Sequence, residues 1–356
     1  KPILRFLEKL IMAKKSRNIF NALFLIIVFA ATMYSVFYGE DLGQIAEYIK
    51  AADSRYWFPC ILIVLIFIES EAVIIFYMLK SLGEDARLLH CCLYSFVGFF
   101  FILVTPSASG GQPAQLYFMK KDGLSLTVST MVLIIVTITY KLVLVVIGAI
   151  VFIFRPAKIM YFLEPVTGWC WLGMVLNVVC ILAMLVFVFH KALAENIAAW
   201  VLNVFCKVFH RKNKEKYMCR LASAMEKYRG TAEYFSTHKL IIWNVFCITV
   251  FQRVIFFVLA YIVCLSFNTA DEGIFVITGL QAMVSVAVDM LPFPGGMGIT
   301  EKLFKDIFTP LCGSGLVLPV MIVTRAISYY TQLFISAVMS VVAYKYIILR
   351  RGIQKK

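Results

Sequence analysis

Seven ionisable residues stand where an apolar chain has no ordinary use for them. Glu69 and Glu71 interrupt one long hydrophobic run, Lys141 a second, Arg253 a third and Arg325 a fourth, while Asp289 and Glu301 flank a Gly/Pro-rich break. A charge at bilayer depth costs about 2.5–3.5 kcal/mol on insertion scales, so such residues gather in a protein interior or a wet cavity. Three cations suit a phosphate, and four carboxylates suit an amine or hydroxyls on the same ligand. The bland alternative is a set of buried ion pairs that only fixes helix register. The coincidence of these placements with two helix-breaking stretches favours a site.

Those stretches are Thr105-Pro-Ser-Ala-Ser-Gly-Gly-Gln-Pro113 and Leu291-Pro-Phe-Pro-Gly-Gly-Met-Gly-Ile-Thr-Glu301. Pro106, Gly110 and Gly111 break the first; Pro294, Gly295, Gly296 and Gly298 break the second. Irregular backbone cannot face lipid, because nothing there satisfies its N–H and C=O groups. Paired breaks in two halves of a chain mark a transporter's binding region. Helices restarting near Pro113 and Thr300 are expected to point their partly positive ends at it.

The elements that must position these residues are transmembrane helices. Of 356 residues 62% are hydrophobic and 15% charged, which excludes an ordinary soluble domain. The net charge of +14 is spread between apolar runs rather than set on one aromatic-interleaved patch. It therefore speaks for the positive-inside rule and anionic lipid headgroups, not for nucleic acid. The ten cysteines fall mostly within or beside apolar runs with no CxxC pair, so free buried thiols are expected. The four histidines show no ligand spacing, and no metal or other cofactor is expected. The sequence offers no nucleophile–base set, P-loop or dinucleotide motif, so a transporter is expected and not an enzyme.

Charge placement gives an all-α polytopic fold with six transmembrane helices and two re-entrant hairpins. The first half, 1–155, holds spans 19–38 and 57–79, a re-entrant pair over 88–121 and a span over 126–154. The second half, 156–356, holds span 166–189, a basic amphipathic segment over 190–239, span 240–267, a re-entrant pair over 274–309 and span 316–348. The order repeats from the opposite side, an inverted repeat with both ends cytoplasmic. The chain opens on Lys1 rather than Met, and a few residues are expected to precede it.

Pro106-Ser-Ala-Ser-Gly-Gly with Leu116-Tyr-Phe-Met-Lys-Lys-Asp-Gly123, Pro294-Gly-Gly-Met-Gly-Ile-Thr-Glu301 and Thr324-Arg-Ala-Ile-Ser-Tyr-Tyr330 resemble the membrane domain of lysylphosphatidylglycerol synthase/flippases. That domain is the flippase half of the multiple peptide resistance factor. The resemblance implies translocation of an aminoacylated or other polar-headed phospholipid between leaflets, and with it antimicrobial peptide resistance. It also implies that Glu301 and Arg325 line the headgroup path; Tyr329, in the third motif, joins the candidate set. Gln112 and Gln115 depart from the acidic or basic residues often found there. The full-length factors add a soluble aminoacyltransferase; this sequence ends at Lys356, and transferase activity is not expected of it. Two other readings stay open. One is a non-catalytic membrane subunit that partners an aminoacyl- or glycosyltransferase; the other is a proton-coupled transporter of a small anion. Homo-oligomers are compatible with all three.

Overall fold

The computed structural model describes residues 42–105, 110–189, 214–291, 293, 296 and 298–349. The expected first span 19–38, Pro106, Pro294, Gly295, most of the basic segment's first half and the basic C-terminus lie outside these residues. Among the described residues the chain is helical, without strands. The helices are α1 (Leu42–Ala51), α2 (Trp57–Ser81), α3 (Leu88–Val104), α4 (Gly111–Lys121), α5 (Leu126–Phe154), α6 (Ala157–Leu163), α7 (Thr167–Phe189), α8 (Lys214–Thr237), α9 (Lys239–Ser266), α10 (Gly273–Val288), α11 (Ile299–Arg325) and α12 (Gln332–Ala343). Wider π-type turns over Ala326–Thr331 and Tyr344–Leu349 continue the last helices.

Five stretches among the described residues are long and apolar enough to cross a membrane: Ser54–Ser81, Leu126–Phe154, Ala157–Val188, Lys239–Ser266 and Ile299–Ile347. Each overlaps one of the five expected spans within the described residues, but Ile299–Ile347 also takes in residues after the second break that were expected in a re-entrant pair. Leu88–Val104 and Gly273–Val288 are shorter apolar helices, each leading into a break. Large apolar side chains such as Phe154, Phe275 and Phe334 stand exposed on the outside. An apolar exterior around charged interior residues is stable only with lipid outside, so the chain is an integral multi-pass membrane protein.

Ile299–Ile347 holds 49 residues. At 1.5 Å per residue it would reach about 73 Å, more than twice a hydrocarbon core of about 30 Å, so it has to bend. It does so at Gly313, whose φ of 77° and ψ of 158° are reserved for glycine. The run thereby becomes two legs, and residues 24 apart on it come into contact.

Two ends of the bundle are defined by polar ties. At one, Lys158 pairs with Glu272 at 2.7 Å and the Asp53 amide donates to the Ser266 carbonyl at 3.0 Å. At the other, α8 docks on α5 and α9, burying Tyr228, Thr231 and Phe235 at helical spacing, and Tyr234 donates to the Ser81 carbonyl at 2.8 Å. The basic residues Lys227 and Arg229 of α8 stay exposed, as an amphipathic surface helix requires.

Two apolar cores fill the ends. One includes Ile63, Phe67, Leu144, Val263, Met283 and Phe308; the other includes Ile75, Met78, Tyr94, Met119, Val132 and Val245. Each crossing helix contributes to both. Where it passes from one core to the other it carries its polar residue: Glu71 on α2, Lys141 on α5, Asn177 on α7, Arg253 on α9. The fold is a pair of greasy layers with a polar layer between them.

Candidate functional site: a charged cavity between two apolar cores

The polar layer encloses a cavity of about 530 Å³. Its walls are helix faces, recognisable by spacing: Val136, Tyr140, Lys141 and Leu144 on α5; Thr249, Gln252, Arg253 and Phe256 on α9; Gln281, Val284, Ser285 and Val288 on α10. After the α11 leg, Arg325, Ser328, Tyr329 and Gln332 continue the same pattern. Seven of the eight expected substrate residues line it: Glu71, Lys141, Arg253, Asp289, Glu301, Arg325 and Tyr329. Glu69 does not. Two residues along a helix is about 200° of rotation, and Glu69 faces Cys92 on α3 instead.

Two cations are neutralised inside the layer. Lys141 Nζ lies 2.7 Å from Asp289 Oδ2, whose other oxygen accepts from the Tyr140 hydroxyl. Asn177 Oδ1 lies 3.5 Å from the same ammonium. Arg325 Nη2 and Nε reach Glu301 Oε1 at 2.6 and 2.7 Å, which ties the two legs of the Gly313 bend together. Glu301 Oε2 accepts from the Gly298 amide at 2.7 Å. The helix restarts at Ile299, close to the expected Thr300; Gly298 caps it with φ of 86°, and Thr300 donates to the Gly296 carbonyl at 2.8 Å. The positive helix end is thus already satisfied by an internal carboxylate. At the first break α4 starts at Gly111, two residues before Pro113, and Thr105 Oγ1 accepts from the Gly110 amide at 2.9 Å.

The third cation is different. Among the described residues Arg253 has no carboxylate within 4 Å, and its buried Nε has no hydrogen-bond partner. The Tyr140 ring covers the guanidinium at 3.5 Å, with Phe67 at 4.9 Å. A guanidinium covered on its face keeps its in-plane N–H fork for a carboxylate or phosphate. Gln281 Oε1 and Thr324 Oγ1, on other residues of the wall, are likewise buried without partners among the described residues. Three residues of the wall thus each carry a buried polar atom without a partner among the described residues, which is uncommon in a settled interior.

Sequence reasoning under-read the neutral amides. Gln115, only 3% exposed, donates to Glu71 Oε1 at 2.7 Å, and Gln112 donates to Thr137 Oγ1. Gln252 donates to the Phe67 carbonyl at 2.7 Å. The three-residue spacing of Gln112 and Gln115 after the first break, and the adjacency of Gln252 to Arg253, were the available signal. Gly98 makes room for this arrangement, since a Cβ there would collide with the Gln115 side chain. The Tyr329 hydroxyl donates to the Leu103 carbonyl at 3.0 Å, just before the first break. Cys60, Cys91, Cys92, Cys170, Cys180, Cys247, Cys264 and Cys312 are free, as expected, though Cys247 is exposed rather than buried.

The structure is thus a multi-pass helical bundle with a charged cavity between two apolar cores. The family model for the lysylphosphatidylglycerol synthase TM region matches residues 19–336, and the chain belongs to that family. It is also similar to a "UPF0104 membrane protein" of Methanothermobacter thermautotrophicus, 24% identical over 275 residues, which are 73% of this chain and 77% of that one.

Proposed function

We propose that this protein translocates a polar-headed phospholipid between membrane leaflets, the headgroup passing through the cavity while the acyl chains stay in lipid. The observation that carries the reading is Arg253: a guanidinium at mid-depth, with no carboxylate partner among the described residues, facing a cavity. An unpaired buried charge costs several kcal/mol, so its persistence favours an anionic occupant. The wall mixes charged groups with Phe67, Phe99, Ile102 and Met184, which suits an amphiphile better than a small hydrated anion. Family membership adds lysylphosphatidylglycerol, or a similar aminoacylated lipid, as the first substrate to try.

The helix pairs α3–α4 and α10 with the first α11 leg serve in this reading as re-entrant hairpins of an inverted repeat. Matching contacts support it: α2 packs on α3 as α9 packs on α10, and α2 and α9 pack on each other. Both ends are placed in the cytoplasm of a bacterial cell, where the basic residues of α8 face anionic lipid. The chain moves lipid and leaves its chemistry to a partner transferase.

The test uses purified protein in liposomes with fluorescent lysylphosphatidylglycerol and an outer-leaflet quencher. Wild type is expected to expose inner-leaflet lipid to the quencher, and Arg253→Gln to slow this at least about tenfold, the loss of one charge-assisted contact. Equal traffic in wild type, Arg253→Gln and empty liposomes removes the reading. Uptake of inorganic phosphate without lipid movement would instead establish a small-anion transporter.

A further inference from the structure

The charges of the cavity do not all cancel in pairs. Lys141 is matched by Asp289 and Arg325 by Glu301, which leaves Glu71 and Arg253. These two have opposite signs and face one cavity, yet neither has an ion-pair partner among the described residues. They are held apart by construction. Gln115, in the space left by Gly98, holds Glu71 Oε1, and the rings of Tyr140 and Phe67 hold Arg253. Glu71 Oε2 has no partner among the described residues and is free to accept.

We propose that this split pair is the specificity device of the cavity: Arg253 reads the phosphate, and Glu71, positioned by Gln115, reads the remainder of the headgroup. The inference rests on the lipid-translocation reading and names its substrate class. An anion alone would satisfy Arg253 and leave Glu71 unmatched; a cation alone would do the reverse. A phosphodiester bearing a primary ammonium satisfies both and can donate N–H bonds to Oε2. A quaternary ammonium brings charge without a donor, and a glycerol head brings donors without charge. The device therefore ranks ammonium-bearing heads first and separates them from choline and glycerol heads.

The experiment compares acyl-labelled phosphatidylethanolamine, phosphatidylglycerol and phosphatidylcholine in the same liposomes. Wild type is expected to move the ethanolamine lipid fastest. Glu71→Gln should lower that rate about tenfold while changing the glycerol lipid less than about threefold, which inverts the preference. Gln115→Leu, which frees Glu71 to drift, should blunt the preference without inverting it. Arg253→Gln should slow all three lipids together. Because preference is a ratio within one protein, a loss of fold does not imitate it. A uniform effect of Glu71→Gln on all three lipids overturns the proposal. If wild type moves no lipid, the translocation reading fails, and the site is judged separately by thermal shift in detergent. Stabilisation by glycerophosphoethanolamine over glycerol phosphate, reversed in Glu71→Gln, then upholds the split pair; the same shift with both compounds, or none, discards it.

Discussion

The two helix breaks share a glycine- and proline-rich composition but are secured by different chemistry. At the second, Asp289 and Glu301 anchor the irregular backbone through ion pairs to Lys141 and Arg325, on two different crossing segments. At the first, neutral groups do the same work: Thr105 holds Gly110, Gln112 meets Thr137 and Gln115 meets Glu71. Charge at the second break is consumed in holding structure. Glu71, which the first break holds through Gln115, and Arg253, which lies over the Tyr140 ring, form no ion pair among the described residues. One break is an ionic clasp, and the other is held by neutral donors.

If that contrast holds, the largest stability loss belongs to the clasp. Arg325→Ala strands Glu301 in the interior and is expected to cost about 3–5 kcal/mol, seen as a lowered melting temperature in detergent. Adding Glu301→Gln to it should recover part of the loss; no recovery would mean that the pair does not hold the bend. Next comes Gly98→Ala at the first break, expected to cost about 1–3 kcal/mol by forcing Gln115 off Glu71. Gly313→Ala belongs to the same range, about 1–3 kcal/mol, because alanine has to adopt a glycine-only conformation at the bend. Gln112→Leu removes one neutral hydrogen bond and should cost about 1 kcal/mol. Smallest, and opposite in sign, is Arg253→Met. It discards an unpaired buried charge and should leave stability unchanged or raise it by about 1 kcal/mol, while lipid movement fails. Equal destabilisation by Arg253→Met and Arg325→Ala would erase the distinction between the two regions.

The spans were legible because hydropathy and the placement of basic residues act over whole helices and tolerate errors of a few residues. The charged wall was legible for the same reason that it is costly: a lone Lys141 or Arg253 in an apolar run cannot face lipid cheaply and so has to turn inward. Glu69 against Glu71 was not decided by sequence, since both sit mid-span and only the rotation of α2 against α3 and α9 separates them. The role of Gly298 also needed geometry, because glycine caps by its backbone angle rather than by a side chain. Gln115 was read as a departure from an expected charge. Its function appears only once Gly98 is seen to leave it a berth beside Glu71.

The bond from the Tyr329 hydroxyl to the Leu103 carbonyl joins the last crossing segment to the end of α3, and α12 packs along α3 beyond it. Leu103 is at the close of its helix, where carbonyl groups lose their in-helix donors. A phenol from another segment takes over there, so the first break and the final crossing segment are tied together as one packed unit. On the proposed translocation reading, the cavity opens toward either leaflet by sliding between that unit and α10. The narrow backbone approach of Gly173 on α7 to Ala287 on α10, where a Cβ would sit 2.7 Å from Ala287 Cα, ties α10 to α7 on the opposite bank.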